Sequence, residues 1–216
     1  MDSKRKKIMR HTLFSCVGIS LILISYLFLK NNNIDRILNP SNEILNNNPA
    51  YISHHSAWED SVFQSLTLKE KIGQLFMVAA YSDRDNEHVN EISQLIKEYK
   101  IGGLIFFQGG PERQLHLNNK YQELSKTPLL ISMDAEWGLA MRLDSTMKFP
   151  NQMTLGAISD NKLIYEMGKQ IALQCKRLGV HINLAPVSDI NNNPNNPVIN
   201  FRSFGENREN VTAKCL

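Results

Sequence analysis

Cysteine is scarce in this sequence, with three residues among 216 positions. The count is odd and no two cysteines have the C-x-x-C spacing, which argues against a disulfide framework and against a zinc site. The six histidines show no metal-ligand spacing either, so we predict no bound metal. No G-x-G-x-x-G follows the first predicted strand, which weakens a nucleotide-binding interpretation. We therefore predict no cofactor. The cysteines are Cys16, Cys175 and Cys215.

The chain also lacks the basic stripe that nucleic-acid binding requires. Its formal net charge is +3, from 24 basic and 21 acidic residues. Six of the basic residues and one acidic residue fall within residues 1–30, which leaves 18 basic and 20 acidic residues in the remainder. Basic and aromatic residues are not interleaved there. We therefore predict that nucleic acid is not a partner.

The N-terminal basic cluster precedes residues 12–29, a stretch of 18 residues without a charge. That length is about what a helix needs to cross a bilayer. Because positive flanks stay in the cytoplasm, residues 1–30 predict a membrane-anchor helix with the rest of the chain on the extracytoplasmic side. The alternative is a signal peptide that is cleaved, with secretion of the remainder. Residues 31–57 are rich in Asn and predict a linker, and residues 58–216 form the predicted domain.

Short apolar runs alternate with amphipathic stretches throughout that domain. The runs are near-continuously apolar, which is typical of parallel strands covered on both faces. The alternation predicts right-handed βαβ units, and it leaves two architectures open, a doubly wound sheet and an α/β barrel. The predicted strands are 74–80, 101–107, 128–134 and 180–189, and the predicted helices are 86–100, 111–125 and 161–179.

Three residues mark predicted helix ends. Thr67 precedes Leu68 as a candidate N-cap. Pro111 is suited to the first turn of a helix, and Gly179 is suited to terminate one. These signals place the helix boundaries independently of the apolar periodicity.

Polar residues stand where the predicted strands end. They are Tyr81, Gln108, Asp134 and Asp189. The carboxyl ends of parallel strands form the ligand-binding face of α/β folds, and in a barrel they share one rim. The sequence therefore predicts a polar site at this edge.

The stretch "DAEWGLAMR" gives the clearest signal for that site. Asp134 alone is as consistent with a helix cap or a turn residue as with a ligand-binding group. Glu136, Trp137 and Arg142 follow within eight positions. A carboxylate and a guanidinium beside an aromatic plane provide hydrogen-bond acceptors, donors and a stacking face. Sugars are bound by groups of these three kinds.

A second candidate segment is the Asn- and Pro-rich stretch 184–206, predicted as a rigid irregular loop. Its composition is also typical of a surface turn with Asx capping. It follows a predicted strand and carries Arg202 within "RSFG", and loops of this length on α/β scaffolds are usually functional.

Five motifs in order carry a resemblance to a known family: "KIGQLFMVA", "IGGLIFF", "PLLISMDAEWGLAMRL", "FPNQMTLGA" and "NLAPVSDINNNPNNPVINFRSFGE". Together they resemble the N-terminal domain of glycoside hydrolase family 3, in its bacterial β-N-acetylhexosaminidase branch. The resemblance implies a (β/α)8 TIM-type barrel and a retaining mechanism. It also implies that Asp134 holds sugar hydroxyls and that Arg142 and Arg202 contact the substrate. Trp137 replaces the first Gly of the family's usual pair.

The family's acid/base dyad and nucleophile have no counterparts in the chain, so no catalytic residue is assigned. A retaining glycosidase needs both. We expect the chain to be the N-terminal half of such a barrel, inactive alone. The predicted function is hydrolysis of terminal β-linked N-acetylglucosamine, with cell-wall material as a candidate source of substrate. The alternatives are a β-glucosidase of the same family and a non-catalytic carbohydrate-binding or scaffold protein.

Overall fold

A computed structural model describes residues 57–216. The predicted anchor at residues 1–30 and nearly all of the predicted linker lie outside the described residues. Within the described range, none of the helices combines the length and apolar character needed to span a bilayer.

A parallel sheet forms the centre of the described domain. Its four strands are hydrogen-bonded in the order β1-β2-β3-β4. A doubly wound sheet reverses its strand order at a switch point, whereas a barrel adds each strand beside the previous one. The sequential order over residues 57–216 therefore selects the barrel-type α/β fold. The strands are β1 Met77–Ala80, β2 Gly103–Phe106, β3 Leu130–Met133 and β4 Ile182–Asn183.

Helices separate the strands, as the alternating pattern predicts. The third helix continues into a π-helical turn at Leu95–Tyr99, and single 3₁₀ turns occur at Leu139–Met141 and Asn200–Arg202. The α-helices are α1 Ala57–Ser65, α2 Leu68–Gly73, α3 Asn86–Gln94, α4 Pro111–Leu124, α5 Gln152–Gly156, α6 Asn161–Arg177 and α7 Arg208–Cys215.

The predicted helix ends are confirmed. The Thr67 side chain accepts a hydrogen bond from the backbone N–H of Glu70, and the Glu70 carboxylate accepts one in return from the Thr67 N–H, which completes a capping box. Pro111 occupies the first turn of α4. Gly179 has φ of +67°, the left-handed conformation that commonly ends a helix, and lies two residues beyond α6.

The fourth predicted strand is much shorter than expected. The prediction spans 180–189, whereas β4 contains only Ile182–Asn183. The Leu184 N–H still donates to the Met133 carbonyl at 2.8 Å, but β3 ends at Met133 and offers β4 no further backbone partner. Pro186 has no N–H and could not continue the ladder. Asp189 therefore lies in the following loop, not at a strand end.

The buried core lies between the sheet and its helices. It joins apolar strand side chains to the inner faces of α3, α4 and α6, which explains the near-continuous apolar runs in the sequence. Its fully buried members include Ile96, Leu104, Phe106, Tyr121, Ile131 and Met133.

Tyr121 brings an unpaired hydroxyl into this core. Its hydroxyl is buried and has no hydrogen-bond partner among the described residues, and its ring stacks on Phe106. Burial raises the pKa of Tyr121 to about 12. An unfolded tyrosine loses its proton near pH 10, so the folded state holds one more proton between pH 10 and 12. Stability is therefore lost as pH rises through that window.

We expect Tyr121→Phe to remove this alkaline sensitivity. Between pH 10 and 12, the unfolding free energy of the wild type should fall by about 2–3 kcal/mol more than that of the variant. At pH 7 the variant should be as stable as the wild type or more so, because it buries no unpaired hydroxyl. Urea unfolding at several pH values measures both. Parallel pH profiles would show that the Tyr121 hydroxyl is hydrated.

Candidate functional site at the carboxyl end of the sheet

Asp134 and Arg142 form an ion pair directly after β3. The Arg142 Nη2 lies 2.6 Å from the Asp134 Oδ2, and its Nε donates to the Asp134 backbone carbonyl at 2.7 Å. The 3₁₀ turn at Leu139–Met141 bends the chain so that position 142 returns to position 134. The two donations fix the guanidinium plane against the end of β3. Asp134 Oδ1 accepts no hydrogen bond within residues 57–216, which leaves an acceptor for a ligand.

Aromatic rings from the two preceding strand ends support Arg142. Its guanidinium carbon lies 4.7 Å from the centre of the Phe107 ring, and Phe107 stacks on Tyr81 at 5.7 Å. Arg84 covers the Tyr81 ring at 3.6 Å. Cation–π contacts of this kind hold an arginine in place without using its N–H donors. The sequence marks Tyr81 as a strand-end residue, but it gives Phe107 no signal beyond that of a core aromatic.

A second ion pair joins the two candidate loops. The Arg202 Nε lies 2.9 Å from the Glu136 Oε2, and its Nη2 lies 2.5 Å from the Oε1. The Glu136 side chain is only 2% exposed, whereas Arg202 is 31% exposed. The hydrogen bonds to Glu136 raise the pKa of the Arg202 guanidinium, and the negative charges of Asp134 and Asp189 act in the same direction. Arg202 therefore stays charged and faces several acids at once.

The three predicted site residues thus lie at the same edge of the sheet. Asp134 contacts Arg142 directly, and its charge acts on Arg202, which is held by Glu136. Glu136 and Arg202 are 66 positions apart in the sequence, and three hydrogen bonds join their side chains. Glu136 is a carboxylate of the "DAEWGLAMR" motif, but the sequence does not indicate that it pairs with Arg202, because pairing between distant loops has no local signature.

Asn183 and Ser203 fix the backbone of the two loops. The Asn183 amide accepts from the Ala135 N–H at 3.0 Å and donates to the Ala135 carbonyl at 3.2 Å. It thereby acts as one further step of the β3–β4 ladder. The buried Ser203 hydroxyl donates to the backbone carbonyl of Asp189 at 2.5 Å, which ties the two ends of the irregular loop together.

The segment carrying Arg202 also packs closely on α5. A Cβ built on Gly156 would stand 1.9 Å from the carbonyl oxygen of Phe204, two residues after Arg202. No side chain fits there unless the backbone moves. Gly168, on the exposed face of α6, has nothing within 4 Å of the same position.

We expect Gly156→Ala and Gly168→Ala to change stability in opposite directions. Gly156→Ala should cost about 1–3 kcal/mol because the Phe204 backbone must shift. Gly168→Ala should gain about 0.5–1 kcal/mol because it replaces glycine in a helix interior. Urea unfolding of both variants checks the signs. A neutral Gly156→Ala would mean that the loop adjusts freely, contrary to its packing.

A cavity of about 880 Å³ lies between α6, β4 and α7. Of the four residues in the two ion pairs, Glu136 lines it, and Asp134, Arg142 and Arg202 do not. We therefore place the ligand-facing side of the two ion pairs at the sheet edge and not in this cavity. Residues 57–216 contain no group of three His, Cys, Asp or Glu side chains arranged to hold a metal ion.

The described domain is a barrel-type parallel sheet with two arginine–carboxylate pairs just beyond the carboxyl ends of its strands. Residues 67–215 match the model of the glycosyl hydrolase family 3 N terminal domain. The chain therefore belongs to glycoside hydrolase family 3, as its five motifs predict.

Three relatives illustrate the similarity. β-Hexosaminidase A of Pseudoalteromonas piscicida is 37% identical over 58% of this chain and 23% of its own length. The β-N-acetylglucosaminidase/β-glucosidase of Cellulomonas fimi is 26% identical over 73% of this chain and 27% of its own. The structure of a family 3 β-N-acetylglucosaminidase from Paenibacillus sp. str. FPU-7 is 37% identical, with a TM-score of 0.63 over 70% of this chain and 30% of that one. The chain thus spans less than a third of each relative.

Proposed function

We propose that this chain provides the sugar-positioning part of a retaining glycosidase that removes terminal β-linked N-acetylglucosamine. The observation that carries the proposal is the pair of arginine–carboxylate contacts, Asp134–Arg142 and Glu136–Arg202, at the carboxyl edge of the sheet. Membership of the family and the names of the relatives support the same substrate class.

In this proposal each residue has a distinct task. Asp134 offers a partly exposed carboxylate oxygen to sugar hydroxyls. Arg142 orients that carboxylate through one hydrogen bond to its Oδ2 and a second to the Asp134 backbone carbonyl. Arg202 presents its remaining N–H donors while Glu136 holds its plane. Rigid donors and acceptors of this kind orient a substrate before it reacts. They thereby lower the entropic cost of reaching the transition state. We assign no nucleophile or proton donor to the described residues.

Sugar binding by the 216-residue chain tests the proposal. We expect saturation-transfer NMR with methyl β-N-acetylglucosaminide to detect binding, and we expect Asp134→Ala to weaken it at least tenfold, roughly the 1.5–3 kcal/mol of a hydrogen bond to a charged group. Asp144→Ala is the matched control, because Asp144 is also an arginine-paired acid but is 56% exposed. Equal binding by the wild type and Asp134→Ala would contradict the proposal.

A β-glucosidase activity is the second candidate. The Cellulomonas fimi relative carries both activities in its name, which favours a site that accepts either sugar. The same NMR titration with methyl β-glucoside separates the two. Binding of the N-acetyl sugar at least as tight as that of the glucoside supports the first candidate, and clear preference for the glucoside supports the second.

We also propose that residues 1–30 hold the chain in a membrane with residues 58–216 on the extracytoplasmic side. The basic flank and the 18 uncharged residues after it support this placement. It would bring the site to cell-wall-derived oligosaccharides. Membrane fractionation with protease protection is the test. A soluble product that starts near residue 31 would instead establish cleavage and secretion.

A further inference from the structure

Two aromatic side chains stand beside the Glu136–Arg202 ion pair. Trp137 follows Glu136 and Phe201 precedes Arg202, and their ring centres lie 6.3 Å apart at an angle of 55°. The ion pair thus brings together two neighbours that are 64 positions apart in the sequence. Phe201 is 48% exposed, and Trp137 is only partly buried. Large apolar rings left open to solvent beside a polar site often form part of a ligand surface.

The spacing of the rings determines how a ligand can use them. Aromatic rings in mutual contact have centres 4.5–7 Å apart, so no ligand ring fits between Trp137 and Phe201. A ligand must lie across the outer surface that the two rings present together. Two rings are too small a surface for a lipid chain or a protein interface, but they match a single pyranose ring.

We propose that Trp137 and Phe201 form a stacking surface for the apolar C–H face of the N-acetylglucosamine ring whose hydroxyls reach Asp134. The inference rests on the proposed function and adds residues that set its specificity. A pyranose has one apolar face and a polar edge. The Trp137–Phe201 ring pair is carried by the same two loops that carry the Asp134–Arg142 and Glu136–Arg202 ion pairs.

Trp137 fluorescence tests the proposal directly. The chain has two tryptophans, Trp58 and Trp137, so Trp58→Phe makes Trp137 the sole indole. Titration of that variant with methyl β-N-acetylglucosaminide should give a saturable change in Trp137 emission. In calorimetry on the same probe, Trp137→Leu and Phe201→Ala should each weaken binding about five- to tenfold. Tyr165→Ala, which removes a 71% exposed aromatic from α6, is the matched control and should bind as the wild type does.

The outcomes separate the inference from the proposed function. Binding that depends on Asp134 but leaves Trp137 emission and both aromatic variants unchanged overturns the stacking surface and leaves the function standing. Absence of binding in the wild type overturns both. Weakened binding in Trp137→Leu and Phe201→Ala with an unchanged Tyr165→Ala supports the inference. Equal weakening in all three variants would show a general loss of structure and would overturn it.

Discussion

Arg202→Met is expected to destabilise the domain by about 2–4 kcal/mol, although Arg202 lies in an irregular loop. The reason is the partner it leaves behind. Glu136 is 2% exposed and accepts hydrogen bonds from Arg202 alone among residues 57–216. Without the guanidinium, a buried carboxylate would lose its only counter-charge. Urea unfolding of the wild type and the variant measures the loss.

Two further variants identify the cause of that loss. Replacing both partners, in Glu136→Leu with Arg202→Met, should recover most of the stability, because no unpaired charge stays buried. Arg208→Met removes an arginine from a pair whose side chains are 76% and 70% exposed, and it should change stability by no more than about 0.5 kcal/mol. If Arg202→Met were as mild as Arg208→Met, Glu136 would have to be hydrated in the folded chain.

The 216-residue chain should release no aryl group from an aryl β-N-acetylglucosaminide above the uncatalysed rate. Retaining hydrolysis needs two carboxyl groups about 5–5.5 Å apart, one as nucleophile and one as proton donor. Asp134 and Glu136 each accept hydrogen bonds from an arginine, and Asp189 alone cannot perform both tasks. Glycosidases accelerate hydrolysis by a million-fold or more, so the assay readily distinguishes an active chain from an inactive one.

Purified chain at high concentration, followed for hours by absorbance, is the measurement. The Asp134→Ala variant serves as the control, because it removes the proposed sugar contact and should give the same background. Turnover by the wild type that Asp134→Ala abolishes would refute the prediction, and it would assign the catalytic carboxylates to residues within these 216.

Much of the fold follows from local patterns in the sequence. Apolar runs bounded by turn residues predict all four strands, because burial on both sheet faces demands such runs. Amphipathic stretches predict α3, α4 and α6 between them, but not the short α5. Thr67 and Gly179 mark helix ends through the chemistry of their own backbone positions. The strand order does not follow from any local pattern, and the choice between barrel and doubly wound sheet depends on the family resemblance or on the structure.

The site is only partly predictable for the same reason. Asp134, Arg142 and Arg202 are found from their motifs, but the contacts of Phe107 and Glu136 depend on which strands and loops become neighbours. The fourth strand is predicted too long for a similar reason. Its apolar residues fit an extended run, whereas its true length is set by where the neighbouring β3 ends.

The contact between Asn183 and Ala135 has a consequence for which sequence changes the loop after β4 can accept. One side-chain amide, not a run of paired backbone, fixes the start of the Asp134 loop against β4. Insertions or deletions after Leu184 therefore need not shift the register of β3 or the position of Asp134. Position 183 tolerates little beyond a side chain that can both donate and accept. Changes in the loop that carries Arg202 therefore alter sugar contacts without rebuilding the sheet that carries Asp134.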